Sequence, residues 1–143
     1  MPTTELVIYT DGGARGNPGP SAIGVWIETA DGEPVESLNH YLGEGTNNEA
    51  EYEAFLASLK WLQDYSDLPA LTRVQWRLDS MLVVEQLNRR WKVKEPRILA
   101  KATKCWVALS QLTTPYTIAY VPRAQNAHAD ALVNQALDEQ LKA

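Results

Sequence analysis

The acids of this chain stand where carboxylates can do chemistry. Asp11 follows the apolar run Leu6-Val7-Ile8-Tyr9 and leads into Gly12-Gly13-Ala14-Arg15-Gly16-Asn17-Pro18-Gly19-Pro20. That stretch is too rich in Gly and Pro to continue as strand or helix. It predicts a turn whose backbone N–H groups a ligand can approach without meeting a Cβ. Asp79 closes a second strand-like run, Val74-Gln75-Trp76-Arg77-Leu78, just before Ser80. Acids at the C-terminal ends of strands in an α/β sheet occupy the place where such folds hold their sites. As a single residue Asp79 reads equally well as a helix N-cap. If the two strands are adjacent and parallel, their terminal carboxylates converge.

Three glutamates compete for a place beside them, and helical spacing separates them. Thr46-Asn47-Asn48-Glu49 matches the capping box, in which Thr46 caps an amide and Glu49 reaches back to the cap. Glu53, four residues after Glu49 and seven before Lys60, falls on the outward, charged side. Glu51 shares a stripe with Phe55, Ser58 and Leu62 and therefore points inward. A carboxylate on a core-facing stripe is costly unless paired, hydrogen-bonded or metal-bound. Asp130 borders the stripe Ala129-Leu132-Val133-Ala136-Leu137, within a small-residue run that permits close packing on a sheet. Alone it reads as a surface acid. Together, four acids without a nearby Lys repel one another unless divalent cations sit between them. Oxygen-only donors suit Mg²⁺ or Mn²⁺, and the lack of paired Cys or His excludes a zinc-type site. Two such ions about 3.5–4 Å apart clamp the attacking water and the leaving oxygen of a phosphodiester.

The elements that must position these acids follow from the pattern. Residues 4–11, 21–30 and 33–42 read as strands separated by Asn17-Pro18-Gly19-Pro20 and Asp31-Gly32, an antiparallel meander. Then come a helix over 47–65, a strand over 72–79 and a helix over 80–90. A helix from Pro96 to about 112, a strand over 115–121 and a final helix over 125–141 complete the chain. A meander followed by alternating helix and strand predicts an α/β fold with a mixed sheet and helices on its faces.

Length and composition bound the rest. The 143 residues fit one domain, 1–143, with a substantial core. No run of about 18 apolar residues exists, so no membrane span is expected, and the N-terminus has no signal-peptide character. A single cysteine, Cys105, sits in an apolar helical stretch and reads as a buried, inert thiol in a reducing, cytoplasmic setting. The net charge of −5 argues mildly against a nucleic-acid partner. Its distribution argues the other way: Arg89, Arg90, Lys92, Lys94, Arg97, Lys101 and Lys104 lie within sixteen positions, opposed only by Glu95, with Trp91 among them. Such patches grip phosphate backbones.

With those residues in view, the chain resembles the ribonuclease HI family over nearly its whole length. The signatures occur in order: Tyr9-Thr10-Asp11-Gly12-Gly13 with Gly16-Asn17-Pro18-Gly19; Thr46-Asn47-Asn48-Glu49-Ala50-Glu51; Leu78-Asp79-Ser80; and Val121-Pro122-Arg123 followed by Asn126 and Ala129-Asp130. The resemblance implies a ribonuclease H-like, five-stranded mixed sheet with three antiparallel and two parallel strands. It implies Asp11, Glu51, Asp79 and Asp130 as ligands of two Mg²⁺ ions, with Mn²⁺ as a substitute. The implied activity is endonucleolytic hydrolysis of the RNA strand of an RNA–DNA hybrid, leaving 5′-phosphate and 3′-hydroxyl ends. Amides around Gly12 and Gly13, with Asn17, Asn47 and Asn48, would contact the hybrid, and Thr46 and Asn47 would help hold a DNA-strand phosphate. A monomer without a membrane partner is expected.

Two departures from the family pattern matter. Where many members carry a mobile loop histidine, this chain has Tyr120, and His128 is not a substitute for it. Arg123, in the short loop, is expected to substitute for it by attracting phosphate or helping product leave. The segment Arg90-Trp91-Lys92-Val93-Lys94-Glu95-Pro96-Arg97 is also too short for the family's basic protrusion, which leaves Arg89, Arg90, Trp91, Lys92 and Lys94 as a reduced handle. Met81 replaces a residue that is often polar. The alternative is a non-catalytic RNA- or hybrid-binding module on the same fold, which would gain nothing from buried anions. A transposase-like core lacks flanking domains here, and a phosphate-loop nucleotide binder lacks its Gly-Lys-Ser/Thr ending.

Overall fold

In the computed structural model, which describes residues 5–65 and 67–142, the chain runs β1 (Glu5–Ala14), β2 (Gly19–Thr29), β3 (Pro34–Gly45), α1 (Asn47–Gln63), β4 (Arg73–Leu78), α2 (Met81–Leu87), α3 (Pro96–Ser110), β5 (Tyr116–Tyr120) and α4 (Ala127–Leu141). The strands form one sheet in the order β3-β2-β1-β4-β5. β1, β2 and β3 are the antiparallel meander. β4 pairs parallel to β1, and β5 parallel to β4. This is the mixed sheet that the strand and helix pattern predicts. Thr4, the expected first residue of the first strand, lies outside the described residues.

Helices cover both faces. On one, α1, α2 and α3 bury Leu6, Ile8, Val25, Ile27 and Val74 of the sheet against Phe55, Leu59, Val84 and Ala102. Trp76 is wholly buried there, its indole N–H donating to Ser58 Oγ at 2.9 Å and its ring 5.0 Å from that of Phe55. The inward stripe of α1 is therefore as expected, with Glu51, Phe55, Ser58 and Leu62 all buried. On the other face α4 packs Val133, Ala136 and Leu137 on Ala22. It comes close because residue 24 is glycine, where a Cβ would overlap the carbonyl oxygen of Ala129. Cys105 is buried, and burial pushes its thiol up to about 12, so it is inert. No helix among the described residues is long and apolar enough to cross a membrane.

Three local expectations need correction. Gly12 and Gly13 do not begin a turn: β1 continues through Ala14, pairing Gly12 with Ile23 and Gly13 with Ala22. What glycine supplies at position 12 is room for α1, because a Cβ there would overlap the Ala50 carbonyl and the Glu51 nitrogen. The helix expected over 80–90 ends at Leu87. Arg89 takes a left-handed φ of 61°, and the Arg90 and Trp91 N–H groups fold back onto the Glu85 carbonyl, closing the end. Finally, residues Arg123–Asn126 form a separate 3₁₀ turn ahead of α4.

Candidate active site

The site forms where two parallel strands part. The β1–β4 pairing ends at Thr10 opposite Leu78, so the next residue of each strand, Asp11 and Asp79, stands at the fork. The N-cap reading of Asp79 is settled by its neighbour: Ser80 caps α2, its Oγ accepting from Val83 N at 3.3 Å, which leaves the Asp79 carboxylate to the fork. Glu51 arrives from α1, brought against the sheet by Gly12, whose N–H donates to Glu51 Oε1 at 2.5 Å. One carboxylate oxygen from each of Asp11, Glu51 and Asp79 lies within 4.8 Å of the others.

The electrostatics are those of a crowded anion cluster. Burial first, and then the Asp79 charge, push the Asp11 carboxyl up to about 7. Burial and the adjacent Asp11 hold Glu51 well above the usual carboxylate range. Asp79 Oδ2 is buried with no hydrogen-bond partner. The nearest cation is Arg123, whose Nε stands 3.9 Å away, too far for a hydrogen bond. Close carboxylates, an orphaned buried oxygen and no Cys or His in the group fit a hard divalent cation. Asp130, half-buried in the first turn of α4, lies beside Asp11 and raises its proton affinity, but it stands outside the tight trio. Its Oδ2 accepts from Asn134 Nδ2 at 3.4 Å.

An open cleft of about 350 Å³ surrounds the acids and includes Gly12, Gly13, Asn47, Asn48 and Arg123. Two of the amides expected to meet a ligand also hold the protein together. Asn17 Oδ1 accepts from the Asn47 N–H at 3.0 Å, and Asn47 Oδ1 accepts from the Ala14 N–H at 2.9 Å. Thr46 is engaged in the predicted capping box: its Oγ1 accepts from Glu49 N, and Glu49 Oε1 accepts from Thr46 N, both at 3.1 Å. Thr46→Ala should therefore cost about 1 kcal/mol of stability, measured by urea unfolding.

The basic cluster is only partly as expected. Arg89, Arg90, Trp91, Lys92 and Lys94 line a second hollow of about 460 Å³ with Trp106. Arg89 lies 4.0 Å above the Trp106 ring. Glu95 is not the only acid opposing the cluster. Arg90 is held bidentately by Glu85, and single contacts of 2.7 Å join Arg97 to Glu49 and Lys101 to Glu53. Glu95 instead caps α3, accepting from the Arg97 and Ile98 N–H groups. Glu53 accordingly faces α3 and not open solvent. Among the described residues no carboxylate pairs with Lys92, Lys94 or Lys104. His128 is stacked on Trp26 at 4.2 Å, committed to that ring. Tyr120 ends β5 and is 44% exposed.

Sequence reasoning missed two parts of the site. Arg15 lines the cleft and binds Asp138 at 2.7 Å and Asn134 Oδ1 at 3.3 Å, tying the end of β1 to α4. Asn126 is buried and donates from Nδ2 to the Thr10 carbonyl at 3.0 Å. The sequence places it in the signature after Arg123 and inside the helix expected over 125–141, and no local pattern reveals that its side chain turns inward.

Comparison with known proteins bears on this geometry. Residues 9–136 match a family described as reverse transcriptase-like. The chain is 38% identical over 131 residues to a protein named ribonuclease HI from Halobacterium salinarum, covering 92% of this chain and 63% of that one. It is 42% identical over 135 residues to a bifunctional protein of Mycobacterium tuberculosis, covering 94% of this chain but 36% of that one. The chain thus spans between about one third and two thirds of the length of these relatives. Among solved structures, LC11-RNase H1 in complex with an RNA/DNA hybrid superposes with a TM-score of 0.90 at 43% identity, covering 95% of this chain and 99% of that one.

Proposed function

The chain belongs to the ribonuclease H family, and we propose that it is an endonuclease that hydrolyses the RNA strand of RNA–DNA hybrids, leaving 5′-phosphate and 3′-hydroxyl ends. The observation that carries this reading is the meeting of the buried Asp11 and Glu51 with Asp79 within 4.8 Å, at the base of an open cleft beside Asp130. A binding module has no use for such a cluster, whose charges oppose folding and repel phosphate. Two Mg²⁺ ions, with Mn²⁺ as a substitute, would be held by Asp11, Glu51, Asp79 and Asp130 and would supply activation of the attacking water and stabilisation of the departing 3′-oxygen.

The chain's own residues do the remaining work. The Gly12 N–H fixes the orientation of the Glu51 carboxylate. Gly12, Gly13, Asn47 and Asn48 line the cleft and, with the neighbouring Asn17 and Thr46, offer polar groups to the hybrid, the Gly12 N–H itself being committed to Glu51. They read backbone shape and the RNA 2′-hydroxyl, which makes cutting nearly independent of sequence. Arg89, Arg90, Trp91, Lys92 and Lys94 hold a more distant stretch of phosphates. With Arg90 already paired to Glu85, and the neighbouring Arg97 and Lys101 held by Glu49 and Glu53, this short handle binds weakly and with a salt-sensitive affinity. The protein acts as a monomer, without a membrane partner, in the reducing cytoplasm that suits its single buried thiol.

Arg123 is 83% exposed at its side chain and stands at the open side of Asp79. It is too basic to shuttle protons, so its role is to draw in the scissile phosphate and release the cut end. Arg123→Ala should lower turnover on saturating hybrid about tenfold, the worth of one charge-assisted hydrogen bond; unchanged turnover would remove Arg123 from the reaction. The function as a whole is tested with hybrid duplexes labelled on either strand. Cutting of the RNA strand alone, in Mg²⁺ and not in EDTA, is expected. A gel shift without cutting would favour the binding module.

A further inference from the structure

Asn126 occupies the N-cap position of α4, yet its side chain makes no cap hydrogen bond. Only 1% of the residue is exposed. The side chain instead enters the fork between β1 and β4, where Nδ2 donates to the Thr10 carbonyl at 3.0 Å. That carbonyl belongs to the peptide bond leading into Asp11. Asp130 stands four residues beyond Asn126, one helical turn away. The bond therefore joins the residue before one site acid to the turn that carries another. Beyond Asp130, α4 lies on the sheet through the apolar Ala22, Val133, Ala136 and Leu137 and is tied to it by exposed polar contacts, Asn39 Nδ2 to the Leu132 carbonyl at 3.0 Å and Arg15 to Asp138 and Asn134; ahead of Asp130 the buried Asn126 bond restrains it. A buried hydrogen bond has a preferred length and direction, and it resists sliding of α4 along the sheet. The arrangement also leaves Asn126 Oδ1 and Thr10 Oγ1 buried without partners, a cost that an apolar residue at position 126 would avoid.

We propose that Asn126 is a positioning residue that sets the separation and orientation of Asp130 relative to Asp11, and through them the site's affinity for divalent cations. The proposal rests on the nuclease reading above. Its test uses the full chain as wild type, Asn126→Ala and Asn126→Ser, with Leu109→Ala, a core truncation in α3, as a destabilised control. Two quantities are measured: the Mn²⁺ concentration at the midpoint of the cation-induced rise in Tm, and kcat and KM on a hybrid duplex. The Asn126 variants should need about 10- to 100-fold more Mn²⁺ to reach that midpoint. At the wild-type Mn²⁺ optimum their kcat should fall at least about tenfold, with KM for the hybrid nearly unchanged and partial recovery at higher Mn²⁺. Leu109→Ala should melt earlier with an unaltered Mn²⁺ midpoint. Asn126 variants with the wild-type midpoint overturn the proposal, as does loss of folding in both, since Asn126 would then be structural. A wild type that neither cuts nor responds to Mn²⁺ removes the nuclease reading and this proposal together.

Discussion

Asp11→Asn is expected to abolish cleavage while making the cation-free protein more stable at pH 8. The activity loss should reach about 10³-fold or more, because several kcal/mol of charge stabilisation depend on the bound cation and each 1.36 kcal/mol is tenfold in rate. The stability gain follows from the same carboxylate. Burial, then the Asp79 charge, raise Asp11 to about 7 in the folded protein from an ordinary value of 3.8. Between those two values the folded state binds more protons than the unfolded chain, so stability falls as pH rises through that window and the loss is complete above about 7. Asparagine removes the charge without removing the shape. On the order of 2 kcal/mol should be recovered at pH 8, or about 5 °C in Tm at this size. Near pH 3, below both values, where Asp11 is largely protonated in both states, the gain should nearly vanish. Melting curves of the two proteins in EDTA at both pH values measure the difference, and equal Tm values at pH 8 would mean that the cluster is not strained by its charge.

Gly12→Ala should instead lose stability and activity together. A Cβ at position 12 would overlap the Ala50 carbonyl and the Glu51 nitrogen, which are backbone atoms of α1 and cannot rotate aside. The helix must lift from β1, stretching the Gly12 N–H contact that orients Glu51. A cost of about 3 kcal/mol is expected for such overpacking, with activity lost even well below the new Tm. Gly13→Ala is the control one residue on: its Cβ would meet Val133 Cγ1 at 3.6 Å, an ordinary contact. Thermal melting and hybrid cleavage of the pair separate the two cases. A Gly12→Ala variant as stable as Gly13→Ala would show that the close approach of α1 is not what glycine provides.

These expectations mark where the sequence was legible. Hydrophobic periodicity and turn signals placed the five strands and four α-helices, though not the two 3₁₀ turns nor the early end of α2, because burial of one face is a local pattern repeated along each element. The same logic chose Glu51 over its neighbours: the capping box claimed Glu49, and the stripe through Phe55, Ser58 and Leu62 turned Glu51 inward. Tertiary pairing was not legible. Gly12 and Gly13 have the composition of a turn, yet β2 holds them in a strand, and the space that glycine frees is taken by a helix. The charge of the basic segment was visible, but its partners Glu85, Glu49 and Glu53 were not, since two of them lie about 48 residues away in sequence. Asn126 stood in the family signature with no role attached, because the carbonyl it reaches is 116 residues earlier.

The most direct test is a calorimetric titration of Mn²⁺ into the wild type and Asp11→Asn at pH 6 and pH 8. If folding gathers these carboxylates to hold cations, the wild type takes up Mn²⁺ saturably at both pH values. At pH 6 its binding heat varies with the ionisation enthalpy of the buffer, because protons leave Asp11 as the ion enters. Asp11→Asn shows no comparable uptake. No saturable binding by the wild type, or the same binding by the variant, would contradict the account.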